Sequence, residues 1–381
     1  MSPGNELIDK KELGEIKEIF TKSDGVLFAH GFDKRRKNIF RVRNFEKKLS
    51  KKFNSKYVQC VSSGTAAIKI ALKALGVKHG DEVITQSFNF IATIEAILDC
   101  GAKPIITGIN DGLNMPVNEL SRLITKKTKA VIVVHMLGYS AEIDKIIRFC
   151  KKRKIPLIED NCEAVGGTYN KKKLGTLSDI GIFSFDFGKT ITTGEGGCIL
   201  TNNKKNYLFF KRYHDHGHKL LKKIPRGIDE ADMPGFNYRM TELQAAVGLS
   251  QIKKLDFIIK ESKKRFNLLN QILSKKFEMR EIYSGSEPNY DTIIFKVENK
   301  IKRKKIVECL VKSGIGTKNL PDAIKWHFAY FWKHAITKDQ LKNTIHSKKI
   351  LEKYIAIPIY LNVSLKNYKK ISYNLLKIIN S

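Results

Sequence analysis

A chain of 381 residues, 42% of them hydrophobic, is too long for one small core and long enough for two, so a large and a smaller domain are expected. The first twenty residues hold no apolar segment of signal-peptide length, and the longest apolar runs, such as residues 130–134, fall far short of a bilayer, which points to a soluble cytoplasmic protein without membrane contact. The formal charge of +32 attracts anions, but its lysines are scattered as pairs such as Lys151 and Lys152, with no zinc-finger, RNP or basic-zipper pattern, so no nucleic-acid site is expected.

In chain order, an SSGT turn at residues 62–65 opens a helix over residues 66–75, where Ile68, Ala71, Leu72 and Leu75 recur at helical spacing. Short β-branched runs at 82–85, 130–134, 156–159, 179–185 and 198–201 then alternate with helical stretches such as 143–153. Strands separated by helices indicate an α/β fold, a mostly parallel sheet covered on both faces. A long helix follows from Thr241 to about Leu273, and the remainder, with a strand at 291–297 and a helix at 302–313, reads as a smaller α+β domain. The division is drawn at 260, with a large domain over 1–260 and a small one over 261–381. Six cysteines without a CxxC pair are read as reduced thiols, and the histidines of HDHGH at 214–218 lack a clear fourth ligand, so no metal is expected.

The chemistry concentrates in FSFDFGKTITTGEGGCILT, residues 183–201. Lys189 stands there between an apolar strand and a glycine-rich turn, where confinement would help its amine lose a proton and act as a nucleophile. Upstream, Asp160 ends a buried strand, where a carboxylate can ion-pair with a protonated pyridine nitrogen and keep such a ring an electron sink. Further upstream the SSGT turn offers free N–H groups and a positive helix end to a phosphate. Taken singly, the lysine reads as surface, the aspartate as a cap and the turn as an ordinary helix start. Phosphate turn, aromatic segment, strand-end aspartate and embedded lysine occur together in the order that a pyridoxal-phosphate enzyme of the aspartate-aminotransferase fold needs.

The pieces SSGTAAI, SFNFIAT, VHMLGYSAEID, EDNCEA, FSFDFGKTITTGEGG and GFNYRMTELQAAVG resemble the DegT/DnrJ/StrS family of sugar aminotransferases, closely from Val61 to Leu249. The resemblance implies the aspartate-aminotransferase fold, pyridoxal 5'-phosphate as cofactor, L-glutamate as amino donor and a keto or aldehyde sugar as acceptor, in polysaccharide or lipopolysaccharide biosynthesis. It makes Lys189 the Schiff-base lysine and Asp160 the partner of the pyridine nitrogen. It assigns Gly64, Thr65 and Ser184 to the phosphate and Phe90 to stacking on the ring. Asn237 corresponds to an asparagine that reaches the phosphate of the neighbouring subunit, which implies a homodimer with shared sites. Glu163 stands where many members have glutamine or histidine near the ring's 3-hydroxyl. His216, Arg239, His135 and His327 are expected contacts for an anionic sugar or the donor's carboxylates. The EDNCEA form is also similar to the branch that acts as sugar dehydratases, but there histidine replaces Lys189. Segments 25–33, 234–243 and 314–329 look most like enzymes that aminate an eight-carbon sugar acid.

Overall fold

Along the strand Thr128–Val134 the side chains part to two sides: Ala130, Ile132 and Val134 join one apolar cluster, Val131 and Val133 another. A strand buried on both faces needs a covering layer on each, and helices supply both. In the computed structural model of the protein, which describes residues 2–221, 224 and 226–380, the helix Ile143–Arg153 covers one face through Ile143, Ile146 and Cys150. The helix Gly64–Ala74 covers the other through Ala67, Ile68 and Ala71.

The sheet has seven strands, in the order Tyr57–Val61, Gly197–Thr201, Ile180–Ser184, Leu157–Asp160, Thr128–Val134, Glu82–Gln86 and Lys103–Thr107. From Ile180–Ser184 to Lys103–Thr107 the neighbours run parallel, and Gly197–Thr201 runs against both strands that flank it. The α/β class and the mostly parallel sheet expected from the strand and helix alternation are therefore observed. Five of the seven strands fall on the runs identified in the sequence; Tyr57–Val61 and Lys103–Thr107 were not among them.

Register brings the carboxyl ends of the parallel strands to one edge, with Val134 opposite Asp160, Asp160 opposite Ile182, and Ser184 beside Gly197, which in turn pairs with Val61. Ligands of open α/β sheets bind outside this edge.

The helix Glu242–Leu273 starts at Thr241, whose hydroxyl accepts from the N–H of Gln244 in a capping box, and runs for 32 residues. It passes through position 260, so the expected division falls inside one element. Beyond it, the strands Glu278–Met279, Thr292–Lys296 and Tyr354–Pro358 form an antiparallel sheet. The helices Lys300–Lys312 and Leu365–Asn380 pack on one another, and the second also lies on the long helix. One apolar cluster reaches from Ile70 beside the large sheet to Ile293 and Ile355 in the small one, so the two parts share a core. Among the described residues no helix is long and apolar enough to cross a membrane.

Candidate active site

The helix Gly64–Ala74 begins at the sheet edge because Ser63 caps it, its hydroxyl accepting from the Ala66 N–H. Two glycines allow this helix end to sit close against the sheet. A Cβ on Gly197 would lie 2.6 Å from the Ser63 carbonyl carbon, and one on Gly64 would lie 3.0 Å from Ser184 Cβ and 3.3 Å from both its Oγ and Cys162 Sγ. Gly64, Ser184 and Cys162 therefore line one small cradle, with Thr65 exposed at its mouth. Unpaired N–H groups, a hydroxyl and the positive end of an 11-residue helix suit a phosphate dianion.

Asp160 ends its strand almost fully buried. Its Oδ1 accepts from the Cys162 N–H at 3.1 Å and its Oδ2 from the Thr93 hydroxyl at 3.5 Å. Burial pushes its pKa up against the Cys162 hydrogen bonds and the Lys189 charge, which pull it down. Such a carboxylate is best satisfied by a cationic N–H.

Lys189 projects from a tight turn. Its N–H donates to the Asp186 carbonyl, the Gly188 N–H donates to the Asp186 carboxylate, and the Thr193 N–H returns to the Phe185 carbonyl. Its Nζ lies 3.7 Å from Glu163 Oε1. Burial alone would pull the lysine's pKa down, as expected from its confinement, but Glu163, followed by Cys162, Asp186 and Asp160, outweighs it. The net shift is upward, so the expectation of an easily deprotonated amine is reversed by the carboxylate three residues beyond Asp160.

Glu163 is the most heavily partnered group of the site. Its carboxylate accepts from the Leu137 N–H at 2.9 Å and from the Asn319 amide at 3.2 Å, and its Oε1 also lies 3.7 Å from His327 Nε2. Burial would raise its pKa, but Lys189, His327, Lys318 and the Leu137 N–H bring it down to about 2. His327 is shifted down by burial, opposed by Glu163.

The small sheet delivers these partners. Lys318 N–H donates to the Ala356 carbonyl and Ala356 N–H to that of Leu320, which ties residues 318–320 to the strand Tyr354–Pro358 and sends Asn319 toward Glu163. The Ile91 N–H donates to the Trp326 carbonyl and the Ala329 N–H to that of Ser87, which pins His327 beside Phe90 with ring centroids 5.1 Å apart. Phe90 is 42% exposed, whereas Phe88 and Phe328 are buried.

The remaining expected contacts separate. His135 is fully buried, its Nδ1 accepting from the Ala141 N–H and its Nε2 3.6 Å from Glu159. It offers no surface to a substrate, against the contact expected of it. Arg239 donates to Asp215 at 2.6 Å, and its guanidinium lies 5.0 Å from the Phe28 ring centroid. His216 is exposed, and so is Asn237, which stands between Phe236 and Tyr238. Of the other histidines in that stretch, His214 is buried, its ring against Gln59 and the Phe210 carbonyl, and His218 lies 3.7 Å from Asp229.

Lys318, Asn319, Asn289, Thr93 and Cys162 were not singled out in the sequence. Asn289 donates to the Glu163 carbonyl and to the Thr190 hydroxyl, and Lys318 pairs with Asp291 at 2.9 Å. Thr93 and Asn319 lie inside segments that were recognised, three residues from Phe90 and eight from His327, and that proximity was the available signal.

Residues 36–375 match the model of the DegT/DnrJ/EryC1/StrS aminotransferase family. The chain belongs to this family. It is 36% identical over 320 residues to a GDP-perosamine synthase of Escherichia coli O157:H7, covering 84% of this chain and 77% of that one. It is 31% identical over 351 residues to a UDP-4-amino-4,6-dideoxy-N-acetyl-beta-L-altrosamine transaminase of Campylobacter jejuni, covering 89% and 90%. Among solved structures it is similar to Helicobacter pylori PseC, an aminotransferase involved in pseudoaminic acid biosynthesis, with a TM-score of 0.85, 26% identity, and 100% and 98% coverage. Membership makes this DegT/DnrJ/EryC1/StrS chain a pyridoxal-phosphate-dependent sugar aminotransferase. The phosphate cradle, exposed Phe90, buried Asp160 and Lys189 fit that cofactor.

Proposed function

We propose that the enzyme moves the amino group of L-glutamate to the carbonyl of a nucleotide-linked keto sugar, in the cytoplasm, for a cell-surface polysaccharide. The observation that carries the residue assignments is the pairing, at one sheet edge, of Lys189 with a carboxylate 3.7 Å away and with buried Asp160 behind it. The names of the perosamine and altrosamine relatives support a nucleotide-linked acceptor over the eight-carbon sugar acid suggested by the segment resemblance.

Bound pyridoxal phosphate supplies the electron sink for the carbon whose proton is removed. The residues do the rest. Gly64, Thr65 and Ser184 hold the phosphate at the helix end. Phe90 presents its face to one side of the ring, and Asp160 keeps a proton on the ring nitrogen. Lys189 would anchor the cofactor and, as a free amine, would carry a proton between the donor's α-carbon and the cofactor carbon that takes up the nitrogen. Glu163 holds that proton on Lys189 until it is needed, and His327, shifted toward its neutral form, stands beside it as a hydrogen-bonding group for substrate.

A homodimer in which Asn237 serves the site of a second copy is part of this reading, supported by the exposure of Asn237 and of Phe236 beside it, which is 45% exposed. The residue assignment is tested by borohydride reduction of the cofactor-loaded protein, followed by peptide mass spectrometry. The cofactor mass is expected on the peptide containing Lys189; its appearance on another lysine overturns the assignment.

A further inference from the structure

Ser2 occupies the N-cap position of the short helix Pro3–Glu6, with a proline at the first turn, yet its side chain makes no cap hydrogen bond. Serine at that position normally gives its oxygen to the helix N–H groups. Here the hydroxyl instead donates to the carbonyl of Lys189 at 2.7 Å, with the Phe187 carbonyl at 3.4 Å. The Asn5 amide donates to the same Phe187 carbonyl at 3.0 Å. Ser2 is only 3% exposed, and Pro3 and Gly4 are buried.

Packing agrees with the hydrogen bonds. A Cβ on Gly4 would lie 2.7 Å from the Lys189 carbonyl oxygen and 3.0 Å from Ile191 Cα, so only a residue without a side chain lets the two backbones approach this closely. Beyond the contact the arm is anchored. Glu6 accepts from the Leu361 N–H at 2.7 Å, and Glu12 accepts from Lys254 at 2.7 Å and from the Gln251 amide at 3.0 Å. The side-chain amide oxygen of that same Gln251 accepts from the Thr192 N–H at 3.3 Å, so one side chain of the long helix holds both the arm and the loop that the arm covers.

We infer that the amino-terminal arm, through Ser2, Gly4 and Asn5, is a clasp that positions Lys189 from outside the active site. The inward side of the turn is fixed by Asp186, Thr192 and Asn289, and the arm fixes the outward side. Ser2 and Asn5 are positioning residues: they touch the backbone of the lysine and neither cofactor nor substrate. Their effect on catalysis rests on Lys189 being the cofactor-bearing residue, whereas their effect on the loop does not.

The test uses the full chain with Ser2→Ala combined with Asn5→Ala, Gly4→Ala as a second variant that keeps both polar groups, and Ser2→Thr as the conservative replacement. Amide hydrogen exchange is followed over residues 186–193 without added cofactor, and the pH titration of the visible absorbance is followed with pyridoxal phosphate bound. Loss of hydrogen bonds of this kind should speed exchange in the loop about five- to tenfold, while the helix Gly64–Ala74 keeps its rate. In the loaded enzyme the absorbance midpoint should move and kcat fall about as much, with KM for the amino donor little changed and Ser2→Thr close to the parent. Unchanged exchange over 186–193 in both the double variant and Gly4→Ala overturns the clasp. Faster exchange in the variants, together with a parent protein that shows no visible band with pyridoxal phosphate, would keep the clasp and overturn the assignment of Lys189.

Discussion

Oε1 of Glu163 lies 3.7 Å from Nζ of Lys189, both side chains largely withdrawn from water, and each controls the protonation of the other. Replacing Glu163 by glutamine keeps the shape and an acceptor for Leu137 and Asn319 but removes the charge. Burial then dominates at Lys189, and its pKa should fall below that of the parent enzyme. The pH profile of cofactor attachment, read by visible absorbance, should move to lower pH in Glu163→Gln; an unshifted profile would mean that Glu163 does not set the lysine's charge.

The same pair predicts acid sensitivity in the protein stripped of cofactor. Glu163 is lowered from 4.5 to about 2 on folding, so its ionisation stabilises the folded state fully above pH 4.5, and that stability is lost as pH falls toward 2. The contribution is on the order of 3 kcal/mol. Denaturation followed by circular dichroism between pH 5 and about pH 2 should fall more steeply in the parent than in Glu163→Gln; parallel curves would contradict the pairing.

The phosphate cradle is tested by Gly64→Ala. The added Cβ would press on Ser184 Cβ at 3.0 Å, an atom fixed to its strand, and on Cys162 Sγ at 3.3 Å. Pyridoxal phosphate should bind about tenfold more weakly, and the cofactor-free protein should lose about 1–3 kcal/mol of stability to the overpacking. Equilibrium dialysis of the cofactor measures this, and unaltered affinity would place the phosphate elsewhere.

Much of this arrangement could be read from the chain. Lys189 and Asp160 each end or follow a short apolar strand recognised in the sequence, and in a parallel sheet such ends converge, whereas the strand Tyr57–Val61 that leads into the SSGT turn was not recognised and joins the edge through an antiparallel neighbour. Glu163 was legible as an unusual residue, but its partners Asn319 and His327 come from the small sheet, more than 150 residues away. Their approach is set by backbone bonds from 318 to 356 and from 326 to 91 that no local pattern announces. His135 was expected at the substrate, but its ring is fully buried between Glu159 and the Ala141 N–H, contacts that the sequence does not announce. The long helix bridges the division drawn near 260, and its stripe Leu255, Ile258, Ser262, Phe266 and Leu269 stays buried across it.

Gly138 follows Leu137, the residue whose N–H holds Glu163, and has φ of +86° with the Asn289 amide directly over its α-carbon. Gly138→Ala should cost roughly 2–4 kcal/mol, from the backbone conformation and the collision with Asn289 together. Chemical denaturation measures the loss. Adding Asn289→Ala should recover part of it, since one of the two clashing groups is then gone; no recovery would leave the backbone conformation as the whole cause.

Shared sites are tested by mixing two inactive proteins. Lys189→Ala and Asn237→Ala homodimers, unfolded together and refolded in equal amounts, should regain about a quarter of parent activity, because each mixed dimer holds one site free of both changes. Activity no higher than the sum of the separate proteins would confine Asn237 to its own subunit.

The amino transfer itself is tested most directly with isotopically labelled donor. Purified enzyme, pyridoxal phosphate and nitrogen-15 glutamate are incubated with a nucleotide-linked keto sugar, and in parallel with an eight-carbon keto sugar acid, and the products are weighed by mass spectrometry. The account predicts a nucleotide sugar in which the carbonyl oxygen is replaced by one labelled amine, and no such product with Lys189→Ala. A product that has lost a hydroxyl without gaining the label, or full labelling by Lys189→Ala, would contradict it.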